Sequence, residues 1–345
     1  MTTIHGGDIY RNHVNLDFSV NINPLGIPQS VKDAMHQAVD TCEQYPDIDN
    51  AQLRHAVSHM QNVSEEFLLF GNGASELFMA VVHALKPKKT VIPIPSFYGY
   101  EYAAGSRDGE IVYWETGREN GFRVTEEIYG ALTEEVDLLF LANPNNPTGG
   151  LMDRGTVGKL LEHCGDRGIC VVLDECFMEF CDGGSSVVLD VGRFHNLVLV
   201  KAFTKIFSVP GVRLGYLLCG DGELRGRIKR QLPEWNVSCF AQAAGRACAL
   251  EREFVAATAG YVRRERRFLE EGLGAAGCRV MPSETNFILF YSEIPLYEEL
   301  LNRGILVRNC ENFRGLGPGF YRIAVRNREE NEILLGEIKR LRERG

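Results

Sequence analysis

The middle of the chain alternates two kinds of segment, and this alternation restricts the possible fold more than any other feature. Short apolar runs rich in β-branched residues fall at Thr90–Ile94, Ile111–Trp114, Val136–Ala142, Ile169–Leu173, Leu197–Val200 and Arg213–Leu218. Continuous apolar runs of this length read as strands covered on both faces. Helical patterns lie between several of them, as in Ser75–Leu85, where Leu77, Phe78, Val81, Val82 and Leu85 share one side. Strand and helix in turn over about 170 residues predict an α/β fold with a mostly parallel sheet, helices on both faces and right-handed crossovers.

The two ends read differently. Gln29–Asp40 places Val31, Ala34, Met35, Ala38 and Val39 at helical spacing. Beyond residue 250 the pattern predicts a charged helix over Tyr261–Leu273, a strand over Asn286–Tyr291 and a helix over Leu296–Asn302. Strands over Ile305–Arg308 and Tyr321–Val325 and a last helix from Asn331 follow. The expected organisation is an N-terminal segment, 1–44, contributing to a small domain and the active site. A large domain, 45–245, and a smaller α+β domain, 246–345, complete it.

Charge and cysteine usage narrow the class. The 37 Lys and Arg against 46 Asp and Glu give a net charge of −9, which argues against a nucleic-acid or anionic-membrane partner. No apolar run approaches the ~18 residues of a membrane span, and the opening MTTIHGGDIY lacks a signal-peptide pattern. The 10 cysteines include no C-x-x-C, so no metal site is expected. Cysteines within apolar runs such as GICVVLD read as small buried hydrophobes in a reducing compartment, and the cytoplasm is expected.

Four features carry chemistry. Lys205 follows an apolar strand and precedes a Pro-Gly turn and Arg213; alone, it is an ordinary surface lysine. Gly71-Asn72-Gly73-Ala74-Ser75-Glu76 opens a helix with small residues, so backbone N–H groups and the helix dipole can meet an anion. Alone, it is a plain helix cap. Asn143-Pro144-Asn145-Asn146-Pro147-Thr148-Gly149 makes a rigid turn after a strand, at the sheet edge where ligands bind in such folds. Asp174-Glu175 ends another strand and alone reads as a helix N-cap.

In this order, the set G-A-S-E, N-P-N-N-P-T-G, D-E-x-F and T-K-x-F…P-G-x-R-x-G resembles the fold-type-I pyridoxal-phosphate enzymes, in the subgroup with histidinol-phosphate aminotransferase, over nearly the whole chain. The resemblance implies aminotransferase fold type I and pyridoxal 5'-phosphate as cofactor. Lys205 would be the amine that joins the cofactor aldehyde, and Asp174 would pair with the ring nitrogen. Asn146 would bond the ring's 3-oxygen, and Phe97, in PSFYGY, would stack on the ring. Gly73, Ala74, Ser75, Thr204 and Arg213 would hold the phosphate. Tyr45, in QYPD, would reach the phosphate of a neighbouring subunit, implying a homodimer with shared active sites.

Within that subgroup, His5-Gly6-Gly7, the stretch from Leu16 to Gly26, Gly304 to Gly315 and Phe320 to Arg326 are similar to the threonine-phosphate decarboxylase family of the cobalamin pathway. Phe177, where related aminotransferases carry Tyr, and Thr204 in place of Ser point the same way. The implied substrate is a phosphorylated amino acid. Arg322 would bind its carboxylate, since a planar guanidinium matches it bidentately. Asn146 would also face the substrate, and His5, Asn21 and Arg308 are candidates for its phosphate. Without the resemblance, His5 is a disordered terminal histidine. An aminotransferase of the histidinol-phosphate type is the alternative. A pyridoxal-binding regulator fits poorly, because only a few tens of residues precede the cofactor domain. No G-x-G-x-x-G with a later acidic residue supports a nicotinamide dehydrogenase.

Overall fold

A computed structural model of the protein describes residues 6–181 and 185–343. A short strand, β1 (Leu16–Asp17), precedes the seven that form the central sheet. Those are β2 (Leu68–Gly71), β3 (Lys89–Ile94), β4 (Glu110–Glu115), β5 (Leu138–Ala142), β6 (Cys170–Asp174), β7 (Leu197–Ala202) and β8 (Gly215–Cys219). Their order is β2-β8-β7-β6-β5-β3-β4. The run from β7 to β4 is parallel, and β8 runs against both its neighbours. The mostly parallel sheet expected from the alternation is therefore present.

Alternation of side chains along each strand explains why both faces are covered. Leu138 and Phe140 of β5 face Leu77, Phe78 and Val81 of the helix Ala74–Leu85. Leu139 and Leu141 enter the opposite core with Leu160 and Leu161 of the helix Arg154–Gly165 and Leu269 of the helix Arg252–Ala275. β2 lies outside the strands expected from the sequence; its four residues are too few to show a period. Arg213, expected in a strand, instead lies in the turn before β8 with φ 57°.

The C-terminal part adds β9 (Arg279–Val280), β10 (Phe287–Tyr291), β11 (Ile305–Leu306), β12 (Arg308–Asn309) and β13 (Phe320–Ala324). An antiparallel sheet runs β12-β13-β10-β9, while β11 pairs in parallel with β1. The single strand expected over Ile305–Arg308 is thus divided at Val307, one half serving the N-terminal segment and the other β13. The last helix, Arg328–Arg342, begins three residues earlier than expected, because Asn327 and Glu330 close a capping box at its start.

The N-terminal segment bridges the two sheets. Phe18 N–H donates to Leu306 O at 2.8 Å, and Ala324 N–H donates to Phe18 O at 2.8 Å. Five residues on, Asn23 N–H donates to Lys205 O at 3.0 Å and Asn23 Nδ2 to Ile206 O at 2.7 Å. Among the described residues no helix is long and apolar enough to cross a membrane.

Candidate active site

Register brings the chemistry together. Ala142 of β5 stands beside Asp174 of β6, which stands beside Val200 of β7. The carboxyl ends of three parallel strands therefore deliver the loop 143–149, Asp174 and Lys205 to one edge of the sheet. Asp174 is buried. Tyr100 Oη donates to its Oδ2 at 2.6 Å, and the Cys176 N–H donates to its Oδ1 at 2.8 Å. Burial raises the proton affinity of the carboxyl, while the bonds from Cys176 and Tyr100 and the charge of Lys201 act against it.

Lys205 sits on the short helix Phe203–Ile206, directly after β7. Burial and the nearby Arg322 cation lower its pKa to about 8. Lys201, four residues earlier, lies elsewhere, buried in an ion pair with Glu175 at 3.1 Å and Glu179 at 2.9 Å. The neighbouring lysine is thus structural, and Lys205 makes no ion pair or hydrogen bond through Nζ among the described residues.

The loop after β5 is tied shut by its own side chains. Asn143 Nδ2 donates to Met152 O at 3.1 Å and its Oδ1 accepts from Met152 N–H at 2.8 Å, while Asn145 Nδ2 donates to Pro95 O at 2.9 Å. Asn146 is left facing the small sheet, where its Oδ1 accepts from Arg322. Arg322, buried on β13, also donates to Ser19 O at 3.0 Å, and its Nε has no partner among the described residues. Its pKa is lowered to about 10 by burial, so it remains a cation at neutral pH. Arg308 of β12 is its direct cross-strand partner, also buried, and is bonded to Asn312 at 2.7 Å. Two cations opposed across a ladder repel each other. Asn21, buried, holds an Oδ1 without a partner among the described residues.

The residues expected to hold a phosphate lie close together. Gly73, with φ 79°, caps the helix Ala74–Leu85, and a Cβ there would lie 2.6 Å from Arg213 Nη2. Gly215 is as constrained, since a Cβ would lie 2.9 Å from the Ala74 nitrogen. Arg213 therefore lies over the first turn that carries Ala74 and Ser75, and Thr204 is buried next to Lys205. Phe97 caps the helix Tyr98–Ala104 and meets Tyr100 edge-on at 5.6 Å. Phe177 is buried against Phe287, with ring centroids 5.0 Å apart. Tyr45 is 83% exposed and packs on Trp235 at 5.0 Å, outside this cluster within the one chain. His5 lies outside the described residues.

Among the described residues, a lysine without a partner, a buried carboxylate held by two donors, a glycine-lined turn under an arginine and a guanidinium nitrogen without a partner fit pyridoxal phosphate and an anionic substrate. Tyr100 and Ser19 were not singled out in the sequence. The spacing of Phe97 and Tyr100 in PSFYGY, one helical turn, was the available signal for the first. Nothing local marks Ser19, which contributes a backbone carbonyl.

The fold is aminotransferase fold type I. The profile of "Aminotransferase class I and II" matches residues 14–338, and the chain belongs to that family, which depends on pyridoxal phosphate. It is 35% identical over 328 residues to a threonine-phosphate decarboxylase of Salmonella typhimurium, covering 94% of this chain and 90% of the relative. It is 31% identical to a histidinol-phosphate aminotransferase of Methanothermobacter thermautotrophicus, covering 92% and 87%. The solved histidinol-phosphate aminotransferase from Clostridium acetobutylicum superposes with a TM-score of 0.90 at 30% identity, over 96% of this chain and all of that one.

Proposed function

We propose that this protein decarboxylates O-phospho-L-threonine to (R)-1-aminopropan-2-yl phosphate and carbon dioxide, as a step of cobalamin biosynthesis. The observation that carries the substrate class is the buried pair Arg308 and Arg322, opposed across β12 and β13. A substrate bearing both a carboxylate and a phosphate offsets two such cations. The near full-length likeness to the Salmonella decarboxylase supports the reaction.

Pyridoxal phosphate, when bound, supplies an electron sink for whichever Cα bond stands perpendicular to its ring. The chain's own groups then decide which bond that is. Arg322, braced by Ser19 O and Asn146, would hold the carboxylate; Arg308 and Asn21, with His5, would hold the substrate phosphate. Asn146 would keep its amide N–H for the ring's 3-oxygen, since its Oδ1 is engaged by Arg322. Phe177 offers no second donor there. Asp174 would face the ring nitrogen, Phe97 would form one wall, and Gly73, Ala74, Ser75, Thr204 and Arg213 would hold the cofactor phosphate. As the bond to the carboxylate breaks, its electron pair stays on the substrate side and carbon dioxide leaves. Lys205 would then give a proton to Cα, and its pKa of about 8 suits an acid that works near neutrality.

The proposal includes a cytoplasmic homodimer in which exposed Tyr45 reaches the partner's site, and a division of the chain at 1–44, 45–245 and 246–345. A histidinol-phosphate-type aminotransferase is the second reading, favoured by the fold match at a TM-score of 0.90. The test is a product assay on the pyridoxal-loaded protein with O-phospho-L-threonine and no keto acid. Carbon dioxide and aminopropanol phosphate over many turnovers are expected. Product that appears only with 2-oxoglutarate and histidinol phosphate would establish the aminotransferase instead.

A further inference from the structure

Asp174 does not stand alone. Tyr100 Oη donates to one carboxylate oxygen at 2.6 Å and the Cys176 N–H donates to the other at 2.8 Å. With one donor on each oxygen, the carboxylate cannot turn without breaking a buried bond. The tyrosine is itself immobile. Its ring stacks on Phe140 at 5.3 Å and 13°, and meets Phe78 at 5.2 Å and Phe97 at 5.6 Å edge-on. Aromatic contacts on several sides leave the hydroxyl one place to point. The same helical turn sets the ring wall, because Tyr100 N–H donates to Phe97 O at 3.2 Å.

We propose that Tyr100 is a positioning residue, which holds Asp174 ionised and aimed so that the shared proton stays on the cofactor's ring nitrogen. This rests on the reading above, in which Asp174 faces that nitrogen. A carboxyl buried this deeply takes up a proton readily, and once protonated it no longer favours a proton on the ring. The Cys176 and Tyr100 donors oppose that. Burial and the adjacent carboxylate raise the pKa of Tyr100 itself well above its ordinary value, so it remains a donor throughout the working range.

The test compares dissociation constants of two cofactors: pyridoxal phosphate and its 1-deaza analogue, in which a ring carbon replaces the nitrogen. Each is titrated into wild-type apoprotein and into Tyr100→Phe. The variant keeps the ring and its aromatic contacts, and its thermal unfolding in the apo form verifies that it is folded. Wild type should prefer pyridoxal phosphate by at least tenfold. In Tyr100→Phe that preference should fall by roughly tenfold, about 1.4 kcal/mol of coupling through the ring nitrogen, with affinity for the analogue unchanged. Equal weakening towards both cofactors would make Tyr100 merely a packing residue and overturn the proposal. An undiminished preference in the variant would overturn it as well. Equal affinities in wild type would overturn the Asp174 reading, and the role of Tyr100 with it.

Discussion

Replacing Arg322 by lysine keeps a cation in the cleft and removes the fork. A guanidinium has five N–H donors and an ammonium three. In this protein one donor of Arg322 goes to Asn146 Oδ1 and one to Ser19 O, and Nε has no partner among the described residues. The arginine thus has N–H groups to spare for a two-point grip on a carboxylate. A lysine that kept both protein partners would retain a single donor for the substrate. The loss is one charge-assisted hydrogen bond, about 1.5–3 kcal/mol. At 1.4 kcal/mol per factor of ten, kcat/KM for O-phospho-L-threonine should fall roughly ten- to a hundredfold. The assay is steady-state carbon dioxide release, run beside a titration of pyridoxal phosphate into the apoprotein. Cofactor affinity should stay within about twofold, because Arg322 is assigned to substrate. A fall of less than about threefold, or an equal fall in cofactor affinity, would refute the reasoning.

Three further outcomes are expected. Asp174→Ala should lower kcat by on the order of a hundredfold or more while the thermal transition stays near wild type; wild-type turnover in that variant would remove Asp174 from the mechanism. Gly73→Ala forces a side chain onto φ 79° and against Arg213, at about 1–2 kcal/mol of backbone strain alone; pyridoxal phosphate should bind about tenfold or more weakly by fluorescence titration. Lys205 is a nucleophile only when neutral, so its lowered pKa places the rise of apoprotein modification by an amine reagent near pH 8, ending in a plateau above it. A midpoint at the ordinary ~10.4 of a solvated lysine would contradict the burial argument.

The sheet was legible because its strands are apolar on both faces, and β5 and β6 stand out in any reading of the pattern. β2 was not, since Leu68–Gly71 is too brief for periodicity and becomes a strand only through its pairing with β8. Lys205 and Asp174 could be picked out because one follows and the other ends an apolar run, where this architecture gathers its chemistry, and because their order with the other motifs resembles a known family. The opposition of Arg308 and Arg322 was not legible. Fourteen residues separate them, and only the antiparallel register sets them face to face. Tyr100 was hidden for a similar reason: its partner lies 74 residues away, and a tyrosine amid apolar residues resembles ordinary core. Lys201 shows the converse, a lysine at a strand end whose role is an internal ion pair.

The stitching of the N-terminal segment has a consequence for how the protein is made. Phe18 waits for Leu306 and Ala324, and Asn23 waits for the residues around Lys205. The stretch around Phe18 therefore has no backbone partner until residues 306–324 have followed. Arg322, too, joins Asn146 and Ser19 only when β13 is in hand. The strands of the central sheet lie within residues 68–219 and precede β13 in the chain, so the candidate cleft cannot close until residue 324 has been made. The groups expected to hold the cofactor all precede residue 214, so a nascent chain released short of β13 would lack the arginine assigned to the substrate carboxylate rather than the cofactor cradle.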